Sequence, residues 1–142
     1  MPICKTRKLA FCHIPRTGGV SVSNALSLYV NDKHFPASFY REYYPDYTLF
    51  ATLRPYDDRI ISTFGGVLPV EYGKPNFKAL IDHIKDKGAD NIGLMLKPNE
   101  YFLDCEVDYL LRYEYLQDDL NKMLRELGHK EVRLIKCNSF KK

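Results

Sequence analysis

The stretch Phe11-Cys12-His13-Ile14-Pro15-Arg16-Thr17-Gly18-Gly19-Val20-Ser21-Val22-Ser23 decides how this chain is read. It passes from a short apolar run through a Pro-Arg-Thr-Gly-Gly turn into residues at helical spacing. Residues 8–13 (KLAFCH) have the length and apolarity of a buried strand, and residues 21–29 place Val22, Ala25, Leu26 and Tyr29 on one helical face. A strand, a glycine turn and a helix start, in that order, form a cradle for an anion. Glycine lets successive backbone N–H groups converge, the helix start adds about half a positive charge, and the Arg16 guanidinium offers a fork of donors. The same residues also suit an ordinary tight turn in which Ser21 caps the helix. The segment is not a Walker A loop, which reads GxxxxGK[ST]; no lysine follows Gly19.

The pattern then recurs. Residues 46–53 (DYTLFATL) read as a second strand, Pro55 suits a first helical turn, and Ile60, Ile61 and Phe64 share a helical face. The junction LRPYDDRIIS sets Arg54 at the strand end, Arg59 in the following turn and Ser62 two turns into the helix. Two cations and a hydroxyl can converge there on a second anion. Alternatively, Asp57 and Asp58 neutralise Arg54 and Arg59 in a solvated cluster. In open α/β sheets ligands collect at the carboxyl ends of strands, so the two junctions can hold two ends of one doubly anionic ligand.

Further along, residues 65–75 (GGVLPVEYGKP) read as a surface loop, and residues 76–87 as a helix. That helix has Phe77, Leu80, Ile81 and Ile84 on one stripe, with Asn76 as cap and Gly88 as stop. Residues 107–112 are strand-like, residues 116–127 are amphipathic through Leu116, Leu120, Met123, Leu124 and Leu127, with Gly128 as the stop, and residues 131–135 suit a last strand. Residues 91–103 receive no assignment. Strands alternating with helices predict an α/β domain with a mainly parallel central sheet flanked by helices.

Bulk properties narrow the function classes. At 142 residues the chain supports one core and not two, so a single domain over 1–142 is expected. Lys plus Arg number 21 against 18 Asp plus Glu, and the resulting +3 is too mild for a nucleic-acid coat. Cys4, Cys12, Cys105 and Cys137 form no CxxC pair and no zinc-ligand spacing, which predicts reduced thiols and no metal site. No run reaches membrane-spanning length and the first 15 residues lack a signal-peptide pattern, so a soluble, cytoplasmic chain without a membrane partner is expected.

The run FCHIPRTGGVSVSNAL resembles the 5′-phosphosulfate loop of the carbohydrate-type sulfotransferases, an apolar strand followed by IPKTGGTS. The run LRPYDDRIISTF is similar to that family's 3′-phosphate element, VRNPxxRxxSxY, with the same interval from Arg54 to Ser62 and the same middle arginine, Arg59. LLRYEYLQDDL, from Leu110 to Leu120, resembles the family's RfEnLeeDf stretch, and Lys136-Cys137-Asn138-Ser139 its terminal Asn-x-Ser region. The resemblance spans nearly the whole chain in the family's order. This sequence departs from the pattern at Arg16 for Lys, at Val20 for Thr, and at Arg54-Pro55-Tyr56, where the proline has moved one place forward. It is also shorter than most members.

The resemblance implies a three-layer P-loop-like domain and transfer of a sulfuryl group from 3′-phosphoadenosine 5′-phosphosulfate (PAPS), without a metal, to a hydroxyl of a glycan or small metabolite. Arg16 would steady charge developing on the transferred group, assisted by backbone N–H groups of Gly18, Gly19 and Val20 and the hydroxyls of Thr17 and Ser21. Arg54, Arg59 and Ser62 would bind the 3′-phosphate. His34, in KHFPA between the two junctions, matches the position of the family's catalytic histidine and is the candidate base, since histidine titrates near working pH. On its residues alone it also reads as a surface histidine. Glu114 is a second candidate base or a structural acceptor. Two other functions stay open: a catalytically impaired nucleotide- or polyanion-binding domain, and a small-molecule kinase, against which the missing P-loop lysine counts.

Overall fold

The computed structural model of the chain describes residues 3–28, 34–64, 70–71, 74–75, 78 and 97–135. A four-stranded sheet organises them. Its strands are β1 (Ile3–Cys4), β2 (Leu9–Cys12), β3 (Thr48–Leu53) and, after a further pair of short strands, β6 (Tyr109–Arg112). They lie in the order β1-β2-β3-β6, with β2, β3 and β6 mutually parallel and β1 antiparallel to β2. The expected α/β class with a mostly parallel sheet is therefore present.

Helices α1 (Gly19–Ala25) and α2 (Ala37–Tyr43) follow β2, and α3 (Tyr56–Phe64) follows β3. A short α4 (Asn99–Phe102) lies in the stretch that sequence left unassigned, and α5 (Leu116–Glu126) follows β6 through a single 3₁₀ turn at Tyr113–Tyr115. The expected surface loop at 65–75 contains a two-residue hairpin, β4 (Val70–Glu71) with β5 (Lys74–Pro75). The helix expected over 76–87 and the Lys136–Ser139 tail lie outside the described residues, apart from Lys78, which is helical.

All four residues of β2 are buried, and their alternation divides the core. Leu9 and Phe11, with Phe50 of β3, pack against Val22 of α1, the Leu26 that caps its end, and Leu116, Leu120, Met123 and Leu124 of α5. Ala10 and Cys12, with Leu49 and Ala51, pack against Ala37 and Tyr40 of α2 and Phe102 of α4. Each large apolar side chain so buried contributes roughly 1.5–3 kcal/mol. Phe11 and Phe50 are register partners, and their rings stack at 4.7 Å between centroids. Burial also pushes the Cys12 thiol up to about 12, so it behaves as a small apolar residue. Cys4, Cys12 and Cys105 are free thiols, and among the described residues no helix is long and apolar enough to cross a membrane.

Three departures from expectation have a clear local reason. Helix α1 starts at Gly19, two residues early, because Gly18 takes up φ 84° and serves as its N-cap. It stops at Ala25 in a Schellman closure: Ser27 has φ 57°, Ser27 N–H donates to Asn24 O and Leu28 N–H to Ser23 O. The last strand, expected over 131–135, is not formed. Its backbone is instead held by side chains of α5, with Val132 N–H donating to Asn121 Oδ1, Leu134 N–H to Gln117 Oε1, and Gln117 Nε2 to Val132 O. The predicted stop at Gly128 does hold, with φ 81° and His129 N–H on Leu124 O.

Candidate functional site

Parallel pairing of β2 with β3, in which Cys12 is opposite Ala51, brings both strands out at the same end of the sheet. The two junctions singled out in the sequence are therefore neighbours, and hydrogen bonds join them. Arg54 Nη1 donates to Arg16 O at 3.1 Å, Arg59 Nε donates to Pro15 O at 2.9 Å, and the Thr17 and Thr52 hydroxyls share a hydrogen bond beneath them. Thr17 also donates to Ile14 O at 2.6 Å. Arg16 has φ 62°, a left-handed conformation that few side-chain-bearing residues adopt.

The glycine pair is required by its neighbours as well as by the turn. A Cβ on Gly19 would lie 1.9 Å from His13 Nε2, and one on Gly18 would lie 2.6 Å from Leu116 Cδ2. His13 fills the space beside Gly19, stacked on Phe11 at 5.4 Å and 4.7 Å from the ring of His34. Burial, and secondarily the nearby His34, push the His13 imidazole down to about 3, so it is neutral at physiological pH. His13 thus lines the loop from within.

The residues predicted to touch a ligand fall into two groups. Arg16, Gly18, Val20, Ser21 and Arg54 are partly exposed along the upper rim of the loop. Thr17, Gly19 and Arg59 are buried underneath. The expectation that the Thr17 hydroxyl and the Arg59 guanidinium contact the ligand is therefore corrected. The hydroxyl faces Ile14 O and Thr52, and Arg59, 1% exposed, supports the loop through Pro15 O, Lys97 O at 3.1 Å and Asn99 Oδ1 at 2.7 Å. The alternative in which Asp57 and Asp58 neutralise Arg54 and Arg59 in a solvated cluster does not hold for Arg59, which faces inward while both aspartates are exposed. Ser62 lies within α3; the position of its hydroxyl lies outside the described residues.

His34 sits at the other side of the loop, its Nδ1 2.7 Å from His13 O. A carbonyl only accepts, so Nδ1 must carry the proton and donate, which makes Nε2 the basic nitrogen of the neutral ring. Glu114 is exposed on the 3₁₀ turn. Two residues that sequence reasoning missed complete the surroundings. The Tyr113 ring lies under the Arg54 guanidinium at 4.1 Å, and Asn99 Nδ2 donates to Arg54 O at 3.0 Å, so the side chain and backbone of Arg54 are both held. Their contacts reach 45 residues or more along the chain from Arg54, and no local pattern signals them.

No family model, curated protein or solved structure matches this chain.

Proposed function

We propose that this chain is a PAPS-dependent sulfotransferase of three-layer P-loop-like architecture that acts on a hydroxyl of a glycan or small metabolite. The observation that carries the reading is the joining of the two motif junctions through Arg54 and Arg16 at the carboxyl ends of β2 and β3. Two anion-binding elements side by side suit a donor with a phosphosulfate at one end and a 3′-phosphate at the other. Helices α1 and α5 on one sheet face and α2 and α4 on the other are consistent with the three layers.

In this reading the rim residues Arg16, Gly18, Val20 and Ser21 face the phosphosulfate, and Arg54 faces the 3′-phosphate with Tyr113 and Asn99 fixing its direction. The acceptor oxygen attacks sulfur as the bond from sulfur to the phosphate oxygen breaks. His34 Nε2 takes the acceptor proton, and adenosine 3′,5′-bisphosphate leaves. The chemistry rests on alignment and on charge stabilisation by preset donors. One observation favours a second reading, a binding domain without turnover. With Val20 carrying no hydroxyl and Thr17 turned inward, Ser21 is the one hydroxyl left on the rim of this loop.

Calorimetric titration with adenosine 3′,5′-bisphosphate, 5′-AMP and ATP with magnesium tests the site, and transfer of labelled sulfate from PAPS to a panel of sugars and small alcohols tests the reaction. The proposal expects tight binding that requires the 3′-phosphate, followed by transfer. Binding without transfer favours the second reading, preference for ATP with magnesium favours a kinase, and a folded protein that binds none of the three nucleotides refutes the site.

A further inference from the structure

Four hydrogen bonds close a ring across the two loops and α4. Arg54 Nη1 donates to Arg16 O at 3.1 Å, Asn99 Nδ2 to Arg54 O at 3.0 Å, Arg59 Nη1 to Asn99 Oδ1 at 2.7 Å and Arg59 Nε to Pro15 O at 2.9 Å. The peptide between Pro15 and Arg16 completes the circuit. Chemistry fixes the orientation of the Asn99 amide within it. A guanidinium only donates and a carbonyl only accepts, so Oδ1 faces Arg59 and Nδ2 faces Arg54. The amide also stands on a buried support. Asn99 opens α4, whose Phe102 is buried, and the Arg59 guanidinium lies 5.6 Å from the centre of the Phe102 ring. Arg54, by contrast, is partly exposed. Its Nη1 meets Arg16 O and its guanidinium face meets Tyr113, so among the described residues Nε and Nη2 have no protein partner.

We propose, building on the donor site above, that Asn99 is a positioning residue for recognition of the 3′-phosphate, carrying the hold of buried Arg59 to the rim residue Arg54. Arg59 lies too deep to touch a ligand, yet through the ring it acts where a ligand binds. Asn99 fixes the backbone from which the Arg54 side chain springs, Tyr113 fixes the plane of its guanidinium, and Arg16 O takes one of its nitrogens. Nε and Nη2 share the remaining edge, the edge that grips two oxygens at once. Arg112 shows that grip in this same molecule, donating through Nε and Nη2 to the two carboxylate oxygens of Asp119 at 2.9 Å each. An unrestrained arginine loses rotamer freedom when it seizes an anion, and one already oriented loses less. The amide is the side chain that this ring requires. A carboxylate at position 99 would still accept from Arg59 but would leave Arg54 O without its donor, and an apolar side chain would leave both without a partner.

The test is calorimetric titration of the full chain with adenosine 3′,5′-bisphosphate and with 5′-AMP, the ratio of the two affinities measuring what the 3′-phosphate adds. Asn99→Asp keeps the acceptor for Arg59 and removes the donor to Arg54 O. The ratio is expected to fall at least about fivefold, with the affinity for 5′-AMP changed less than about twofold. Asn99→Ala should lower the ratio likewise, which keeps the test open if the aspartate variant fails to fold, and thermal unfolding checks both. Because Asn99 acts through Arg54, adding Asn99→Asp to Arg54→Ala should change the ratio less than about twofold. A wild type that favours the bisphosphate while Asn99→Asp keeps the same ratio overturns the proposal. So does an equal loss for both nucleotides, the mark of a merely structural role, or a fall in the ratio that persists on Arg54→Ala, the mark of repulsion by the new carboxylate. A wild type indifferent to the 3′-phosphate refutes the donor site itself, and the role of Asn99 with it.

Discussion

Acidification should cost this protein stability through one residue, His13. Its imidazole is buried against Gly19 and Phe11, and burial, with His34 as the lesser cause, takes its pKa from 6.5 to about 3. Above pH 6.5 neither state holds the proton and His13 contributes no pH dependence. Below it the unfolded chain takes up a proton that the folded chain refuses, so stability falls as pH falls, down to the folded value. Linkage gives a loss of about 1 kcal/mol at about pH 5.5 and about 3 kcal/mol at about pH 4.5. The assay is urea unfolding of the wild type and of His13→Asn across this range, comparing how each free energy changes with pH. The carboxyls of Asp108 and Asp119, held low by Arg41 and Arg112, titrate alike in both proteins and cancel. The wild type should lose about 3 kcal/mol more than the variant between neutral pH and about pH 4.5. Parallel pH profiles for the two proteins would refute the claim that His13 is held neutral by its packing.

Other substitutions separate support from chemistry. Gly19→Ala drives a Cβ into the His13 ring and should destabilise by about 1–3 kcal/mol, whereas Gly128→Ala, with open space around its Cβ and only its φ to strain, should cost about 1 kcal/mol; thermal unfolding ranks them. Arg59→Met strips three oxygens of their donor in a buried setting and should cost about 3–5 kcal/mol by denaturant titration, with Arg59→Lys intermediate because it keeps charge but not the fork. Arg54→Ala should weaken binding of adenosine 3′,5′-bisphosphate at least tenfold, about 1.4 kcal/mol, while His34→Ala leaves binding intact and lowers transfer from PAPS. Equal loss of binding and transfer in both variants would remove the distinction between their roles.

Much of this arrangement is legible in the sequence because it is local. The apolar run before Pro15 and the glycine pair mark the β2-to-α1 junction, and the spacing of Leu116, Leu120, Met123 and Leu124 marks α5. What sequence could not supply was the direction of each polar side chain. Arg59 and Thr17 belong to motif positions that suit a ligand, yet parallel pairing of β2 and β3 turns both toward backbone carbonyls of the first loop. Residues 131–135 have a strand-like alternation, but Asn121 and Gln117 capture the backbone groups that a strand partner would need. Asn99 and Tyr113 reach Arg54 from elements far along the chain, a placement that only the sheet order decides.

The full enclosure of β2, between two strands and under a core on each face, bears on how ligand binding can be read. Amide protons of Phe11 and Cys12 should exchange with deuterated water only when the whole domain opens, while those at the start of α1, a few residues on, exchange through small local excursions. The strand then serves as an internal clock for the loop attached to it. A nucleotide that slows exchange from Gly19 to Ser21 and leaves the strand unchanged has been caught by the loop itself, and one that slows both has stabilised the entire domain.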